Sequence, residues 1–95
     1  MESSQNWCAI FKNWPEGIDK NGTLVTKFGE SVPFCSFMLA EGLVLLERNT
    51  PDPAGARKAV VGLDSIAVVK INSPLPMPEF QPMGFQFAAS CAQPV

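Results

Sequence analysis

Few side chains in this sequence could do chemistry, and their spacing matches no common catalytic or metal site. The chain has no histidine, which removes the commonest general base and every histidine-containing zinc site. Three carboxylates could meet in a folded chain, those of Glu41, Glu47 and Asp64. Each also fits a plainer place in a turn or at a strand end. We therefore predict no catalytic residue, no metal and no cofactor, with a carboxylate-based hydrolase as the least favoured alternative.

The cysteines and the chain start carry information about the compartment. Cys8, Cys35 and Cys91 are odd in number, widely spaced and without a C-x-x-C pair, which is not a disulfide framework. The first residues lack the basic region of a signal peptide. No apolar run reaches the length of a membrane span. These features predict a reduced, cytoplasmic protein without a membrane partner.

The charges argue against a polyanionic partner. Seven basic and nine acidic side chains give a net charge of −2, and residues 22–71 are neutral. Neutralisation of phosphates needs several clustered cations, and the sequence offers one adjacent pair, Arg57 and Lys58. A glycine-rich phosphate loop is also missing from the sequence. We predict no DNA partner and disfavour RNA.

A short helix is predicted near the N-terminus, over Gln5–Trp14. Ser3 and Ser4 can cap it, and Pro15 ends it, because the residue before a proline avoids helical backbone angles. The apolar residues on one face follow the helical period and are Trp7, Ile10, Phe11 and Trp14. So short a helix must dock on something. Residues 1–21 are therefore a helix and its connection.

Residues 22–71 change to the two-residue period of β-strands. Short apolar segments joined by brief turns, at spacings near ten residues, indicate a sandwich or a small barrel. A barrel is favoured, because closure removes exposed strand edges. We predict a mainly β fold, a small five-stranded SH3-like barrel. Its expected strands are Thr23–Phe28, Val32–Ala40, Leu43–Arg48, Ala56–Leu63 and Ile66–Ile71.

Residues 72–95 form a proline-rich, apolar tail. Prolines at positions 74, 76, 78 and 82 predict neither a helix nor a central strand before Gly84. The segment is nevertheless too apolar to remain in water. We expect it to press against the barrel or against a neighbouring molecule.

The order of a helix and five strands resembles that of the Sm-like (LSm, Hfq-type) small barrels. Two segments carry the resemblance, Ala40–Glu47 for the central hairpin and Val60–Val69 for the second motif. The resemblance implies a ring in which the edges Ala56–Leu63 and Ile66–Ile71 pair between subunits. The motif positions that bind RNA in the family are different here, and Asp64 would repel phosphate at an RNA-facing turn.

The composition points to interaction rather than catalysis. The chain is 46% hydrophobic and 17% charged, and a domain this small cannot bury such an apolar excess. We predict a non-enzymatic, self-assembling scaffold or protein-interaction subunit, with an Sm-like RNA-binding ring as the alternative. For Trp7 and Trp14, burial on the chain's own barrel is favoured over a recognition surface. The candidate interaction residues are Trp7, Phe11, Trp14, Arg57, Lys58, Phe80, Phe85 and Phe87.

Overall fold

A computed structural model of the chain describes residues 3–87. Cys91 and the end of the predicted tail lie outside the described residues. The mainly β fold with an N-terminal helix is confirmed. The regular elements are α1 (Ser3–Lys12), β1 (Gly22–Thr26), β2 (Ser31–Phe34), β3 (Ser36–Ala40), β4 (Leu43–Glu47), β5 (Lys58–Gly62), a 3₁₀ turn (Leu63–Ser65), β6 (Ile66–Ile71) and a 3₁₀ tail helix (Met77–Met83).

The strands form two three-stranded antiparallel sheets, in the orders β2-β1-β6 and β3-β4-β5. The prediction of one closed barrel of five strands is wrong, because the predicted strand Val32–Ala40 is broken at Cys35. Val32 and Phe34 are buried before the break, whereas Phe37 packs on the core after it. The inward side therefore passes from even to odd positions, and each half of the segment belongs to a different sheet.

The 3₁₀ turn joins the two sheets at their other ends. The backbone N–H of Leu63 donates to the carbonyl of Gly42 at 2.9 Å, and that of Lys27 donates to the carbonyl of Ser65 at 2.7 Å. One bond reaches the β3–β4 hairpin and the other reaches the end of β1. The chain thus crosses from β5 to β6 without the two strands pairing in the described part of the chain.

Helix α1 ends two residues before the predicted position. The N–H of Asn13 still reaches the carbonyl of Ala9, but that of Trp14 bonds to Phe11 in a tighter turn. The cause is Pro15, whose ring disfavours helical backbone angles at the preceding residue. Trp14 thereby leaves the helix and turns into the core, where it is 7% exposed.

One apolar core lies between the two sheets and α1. The ring of Trp14 lies 5.1 Å from that of Phe37 and 6.4 Å from that of Phe34, with edge-on geometry in both pairs. The indole Nε1 of Trp14 donates to the carbonyl of Ile18 at 3.0 Å, so its polar atom is satisfied inside the core. The buried residues are Phe11, Trp14, Ile18, Leu24, Val32, Phe34, Val44, Leu46, Val61, Leu63, Ile66 and Met83.

The tail contributes to this core through a helical segment. The prediction of no helix before Gly84 is wrong, because Met77–Met83 is a 3₁₀ helix. Pro78 occupies its first turn, where a backbone N–H has no intrahelical acceptor. Gly84 ends the helix in the left-handed region, at φ 106°. This segment delivers Met83, which is 5% exposed.

Gly22 is required where three strands come together. It is buried in β1, opposite Phe34 of β2 and Ile71 of β6. A Cβ at this position would overlap the backbone carbonyl of Lys70, which cannot swing away as a side chain could. The β1–β6 pairing therefore depends on the missing side chain.

Gly22→Ala should lower the free energy of unfolding by about 1–3 kcal/mol, as overpacking does in a well-filled core. Urea denaturation followed by circular dichroism measures the loss. Gly17→Ala is the matched control, since nothing lies within 4 Å of a Cβ there. Equal stability of the two variants would contradict this account of the strand contact.

Candidate interaction surface

The three carboxylates considered for chemistry do not come together. Glu41 lies in the β3–β4 turn and Glu47 at the opposite end of β4, while Asp64 lies on the 3₁₀ turn. All three are exposed. Within residues 3–87, no three acidic or cysteine side chains are grouped closely enough to hold a metal ion.

Asp52 orders the loop between β4 and β5. The hydrogen bond from the backbone N–H of Ala56, at 2.8 Å, lowers the pKa of the Asp52 carboxyl below its ordinary value. A bond from the N–H of Ala54, at 2.9 Å, and the positive charge of Arg48 lower this pKa further. The carboxylate therefore acts as a turn-forming acceptor.

An apolar groove lies between α1, β6 and the tail helix, and we call it the tail groove. It consists of two adjoining cavities of about 450 Å³ and 500 Å³. Ile71, Met83 and Phe85 line both of them. The other apolar residues of the groove are Trp7, Ala9, Ile10, Val69, Met77, Phe80 and Phe87.

Three large apolar side chains at the rim of the tail groove are unusually exposed to solvent. Met77 is 70% exposed, Phe85 55% and Phe87 60%. Trp7 and Phe80 are half-buried and form the deeper wall. Single exposed apolar side chains are ordinary on proteins, but a contiguous group marks a binding surface.

The structure brings four of the eight predicted interaction residues into this groove: Trp7, Phe80, Phe85 and Phe87. Phe11 and Trp14 are instead buried in the core. They are therefore absent from the exposed surface, because both side chains pack between α1 and the sheets.

The predicted pair Arg57–Lys58 lies away from the groove lining, at the start of β5. Both residues are exposed. The Nζ of Lys58 lies 4.0 Å from a carboxylate oxygen of Glu47 on the neighbouring strand. More than half of each of these two side chains is in solvent, so the pair adds little stability.

A second apolar surface escaped the sequence analysis. It is the solvent side of the sheet β3-β4-β5, which we call the outer face. The strand register places Met38, Leu45 and Val60 side by side across the three strands. Met38 is 68% exposed and Val60 64%. The available signal was that Val32–Ala40 and its neighbours are apolar on both faces, which is unusual for a half-exposed antiparallel sheet.

The two sheets have four edge strands, β2, β6, β3 and β5, of which β5 and β6 are the last of each sheet in chain order. In the described part of the chain, β5 pairs only with β4, and β6 pairs only with β1. Each strand thus presents a row of backbone groups that another strand could bind. Val69 and Ile71 of β6 line the tail groove as well, so one open edge adjoins an apolar surface.

The two tryptophans should respond differently to truncation, because one lies in the core and the other lines the groove. Trp14→Ala should lower the free energy of unfolding by about 3–5 kcal/mol, as expected when a buried aromatic ring is removed. Trp7→Ala should have a clearly smaller effect. Denaturation followed by the fluorescence of the remaining tryptophan measures both. A larger loss for Trp7→Ala would contradict this assignment.

No helix in residues 3–87 has the length and apolar character needed to cross a bilayer. Comparisons of the chain with family models, with curated proteins and with solved structures find no match. The groove, the outer face and the open edges are therefore the features of the described chain that bear on function.

Proposed function

We propose that this chain is a non-enzymatic, self-assembling small β protein that acts as a scaffold or protein-interaction subunit. The tail groove carries the proposal. Its lining is almost wholly apolar, and the large side chains at its rim, Met77, Phe85 and Phe87, are more than half exposed. Covering such a surface releases about 25 cal/mol for each Å² of apolar area removed from water.

The groove suits a protein partner better than a small polar ligand. Its polar members are the side chains of Asn6, Gln81 and Gln86, and none of them is charged. A site for a small metabolite usually converges a few polar or charged groups on the ligand. Interfaces between subunits are instead enriched in aromatic residues and methionine at their centres.

The open edges of β5 and β6 support assembly from identical copies. Joining one edge of a copy to the other edge of the next is a head-to-tail contact, which produces rings or filaments. The resemblance to Sm-like proteins implies the same two edges. The short 3₁₀ turn between β5 and β6 leaves the two strands in different sheets of the described chain, where they do not pair with each other.

Replacing Phe85 and Phe87 together by serine should shift the protein towards smaller species without lowering its melting temperature, since both rings are already largely in water. Light scattering and sedimentation of the full chain at micromolar concentration measure the change. Phe28→Ser is the matched control, because Phe28 is 88% exposed and is not part of the groove lining. A wild-type protein that is monomeric at this concentration would end the self-assembly proposal.

The alternative proposal is an Sm-like RNA-binding ring. The order of elements favours it: a helix, then antiparallel strands, with a tight turn at Leu63–Ser65 where the family resemblance places its second motif. Two observations weigh against it. Asp64 is exposed on that turn, and the Nζ of Lys58, in the adjacent pair Arg57–Lys58, lies 4.0 Å from a carboxylate oxygen of Glu47, which offsets part of its attraction for phosphates.

A titration with single-stranded RNA at low and at moderate salt separates the two proposals. We expect no affinity that falls with salt, because Arg57–Lys58 is the single adjacent pair of cations in the sequence. Arg57→Ala serves as the control variant. A salt-dependent affinity that Arg57→Ala weakens would favour the RNA-binding ring.

A further inference from the structure

The hydrogen bonds around β5 show which of its backbone groups point to its open edge. The N–H of Leu63 donates to the carbonyl of Gly42 at 2.9 Å, one position beyond the paired residues of β4 and β5. In an antiparallel pair, residues that bond to the partner strand alternate with residues that bond away from it. The odd positions of β5 therefore bond to β4. Lys58 and Val60 direct their N–H and C=O groups to the open edge.

The same alternation applies to β6. The N–H of Asn72 donates to the carbonyl of Asn21 at 3.1 Å, one position beyond the paired residues of β1 and β6. The even positions 68 and 70 therefore bond to β1, and Val69 and Ile71 direct their N–H and C=O groups to the open edge. Within residues 3–87, no backbone hydrogen bond connects the tail helix with β6, so the tail helix does not use this edge.

The residues that face the two open edges carry their side chains on opposite sides of the sheets. On β5, Ala59 and Val61 pack on the core, whereas Val60 is 64% exposed on the outer face. On β6, Val69 and Ile71 pack against the core and line the tail groove. The edge of β5 therefore belongs to residues of the outer face, and the edge of β6 belongs to residues of the groove. This difference determines which surfaces meet when the two edges join.

An antiparallel pair between β5 of one copy and β6 of the next follows the rule that all strand pairs of the described chain follow. Residues that face the edge of one strand must then lie opposite residues that face the edge of the other. Val60 lies opposite Val69, and Lys58 lies opposite Ile71. Opposite side chains stand on the same side of a sheet. The outer face of the first copy therefore continues into the groove side of the second.

The covering layers of the two copies are complementary at this junction. The strand residues that line the tail groove are Val69 and Ile71 of β6, so α1 and the tail lie next to the open edge of β6. The outer face beside β5 is bare, with Met38 68% exposed. Joining β6 to β6 would crowd two covering layers against each other, and joining β5 to β5 would leave both outer faces bare. A junction of β5 with β6 places one bare face beside one covering layer.

We propose that the tail of the next copy covers the outer face, in a head-to-tail assembly joined at β5 and β6. The exposed rings of Phe85 and Phe87 pack on Met38 and Val60 of the neighbouring copy. A sheet that is apolar on both sides normally has a layer against each side, and the neighbour's tail supplies the missing one. This inference rests on the proposed self-assembly and adds to it the surfaces that meet.

Cross-linking of two single-cysteine proteins tests which surfaces meet. The native cysteines of the full chain are first replaced, as Cys8→Ala, Cys35→Ser and Cys91→Ser, and sedimentation checks that this background protein associates as the wild type does. One protein then carries Met38→Cys and the other carries Phe85→Cys. We expect a short bis-maleimide to produce a covalent dimer in the mixture and not with either protein alone, because the proposed contact joins two different surfaces.

Phe28→Cys is the matched control for Phe85→Cys, since Phe28 is 88% exposed and lines neither cavity of the groove. Its mixture with the Met38→Cys protein should give no covalent dimer. A dimer formed by the Met38→Cys protein alone would mean that the outer face meets itself. A dimer formed by the Phe85→Cys protein alone would mean that the groove meets itself. Either result overturns the proposed contact.

A proline at the open edge of β5 tests the strand pairing in the otherwise unchanged chain. Val60→Pro removes an N–H that points away from β4, so the bonds between β4 and β5 are kept. We expect self-association to weaken by about tenfold or more in sedimentation. Val60→Thr is the matched control, because it keeps both the N–H and the branched shape of the side chain. Equal association of the two folded variants, with the fold checked by circular dichroism, would contradict the pairing.

The outcomes separate this inference from the proposed function. If the background protein associates but the mixture of Met38→Cys and Phe85→Cys proteins gives no covalent dimer, the contact between tail and outer face is wrong and the self-assembly proposal stands. If the wild-type protein is a monomer at micromolar concentration, both are wrong.

Discussion

The fold depends on a break at Cys35 in the alternation of inward-facing and outward-facing side chains. Up to Phe34 the inward positions of the segment are even, and from Phe37 they are odd. A single residue out of alternation lets one stretch of chain end the sheet β2-β1-β6 and begin the sheet β3-β4-β5. The N–H of Cys35 donates to the carbonyl of Glu47 at 2.8 Å. This hydrogen bond attaches the corner that the chain makes at Cys35 to the sheet β3-β4-β5. Without this corner the two sheets could not face one core.

The corner also explains why the core is rich in aromatic rings. Phe34 and Phe37 stand on either side of it with their centroids 6.1 Å apart. Both rings pack edge-on against Trp14, which Pro15 has turned out of the helix. Large rings suit this place, because each buries a large apolar area and the edge-on contacts between them add to the stabilisation.

The sequence predicted the positions of the strands well and their assembly poorly. Alternation and turn residues are local signals, so β1, β4 and β6 lie close to their expected bounds. Which strands pair is a long-range property, and no composition signal marks the break at Cys35 that assigns the two halves of its segment to different sheets. The tail helix was missed because proline was treated as a general breaker, although a first helical turn accepts Pro78 and this 3₁₀ helix also contains Pro82.

The same difference between local signals and long-range assembly applies to the candidate surface. Four of the aromatic residues that were predicted to interact, Trp7, Phe80, Phe85 and Phe87, line the tail groove. Periodicity could not separate Trp7 in the groove from Trp14 in the core. The outer face was overlooked because apolar residues on both sides of a segment usually indicate full burial. The register that aligns Met38 with Val60 exists only once β4 lies between them.

The central position of β1 in the sheet β2-β1-β6 has a consequence for folding during synthesis. Its partner on one side, β2, follows after a short turn, but Gly22 on the other side meets Ile71. That sheet stays incomplete until β6 has been synthesised, and Met83 enters the core later still. Closing so long a loop is entropically costly, so pairing at distant positions slows folding. In a partly synthesised chain, β1 and β2 would form a hairpin whose β1 edge still lacks its partner β6, whereas β3, β4 and β5 can already assemble.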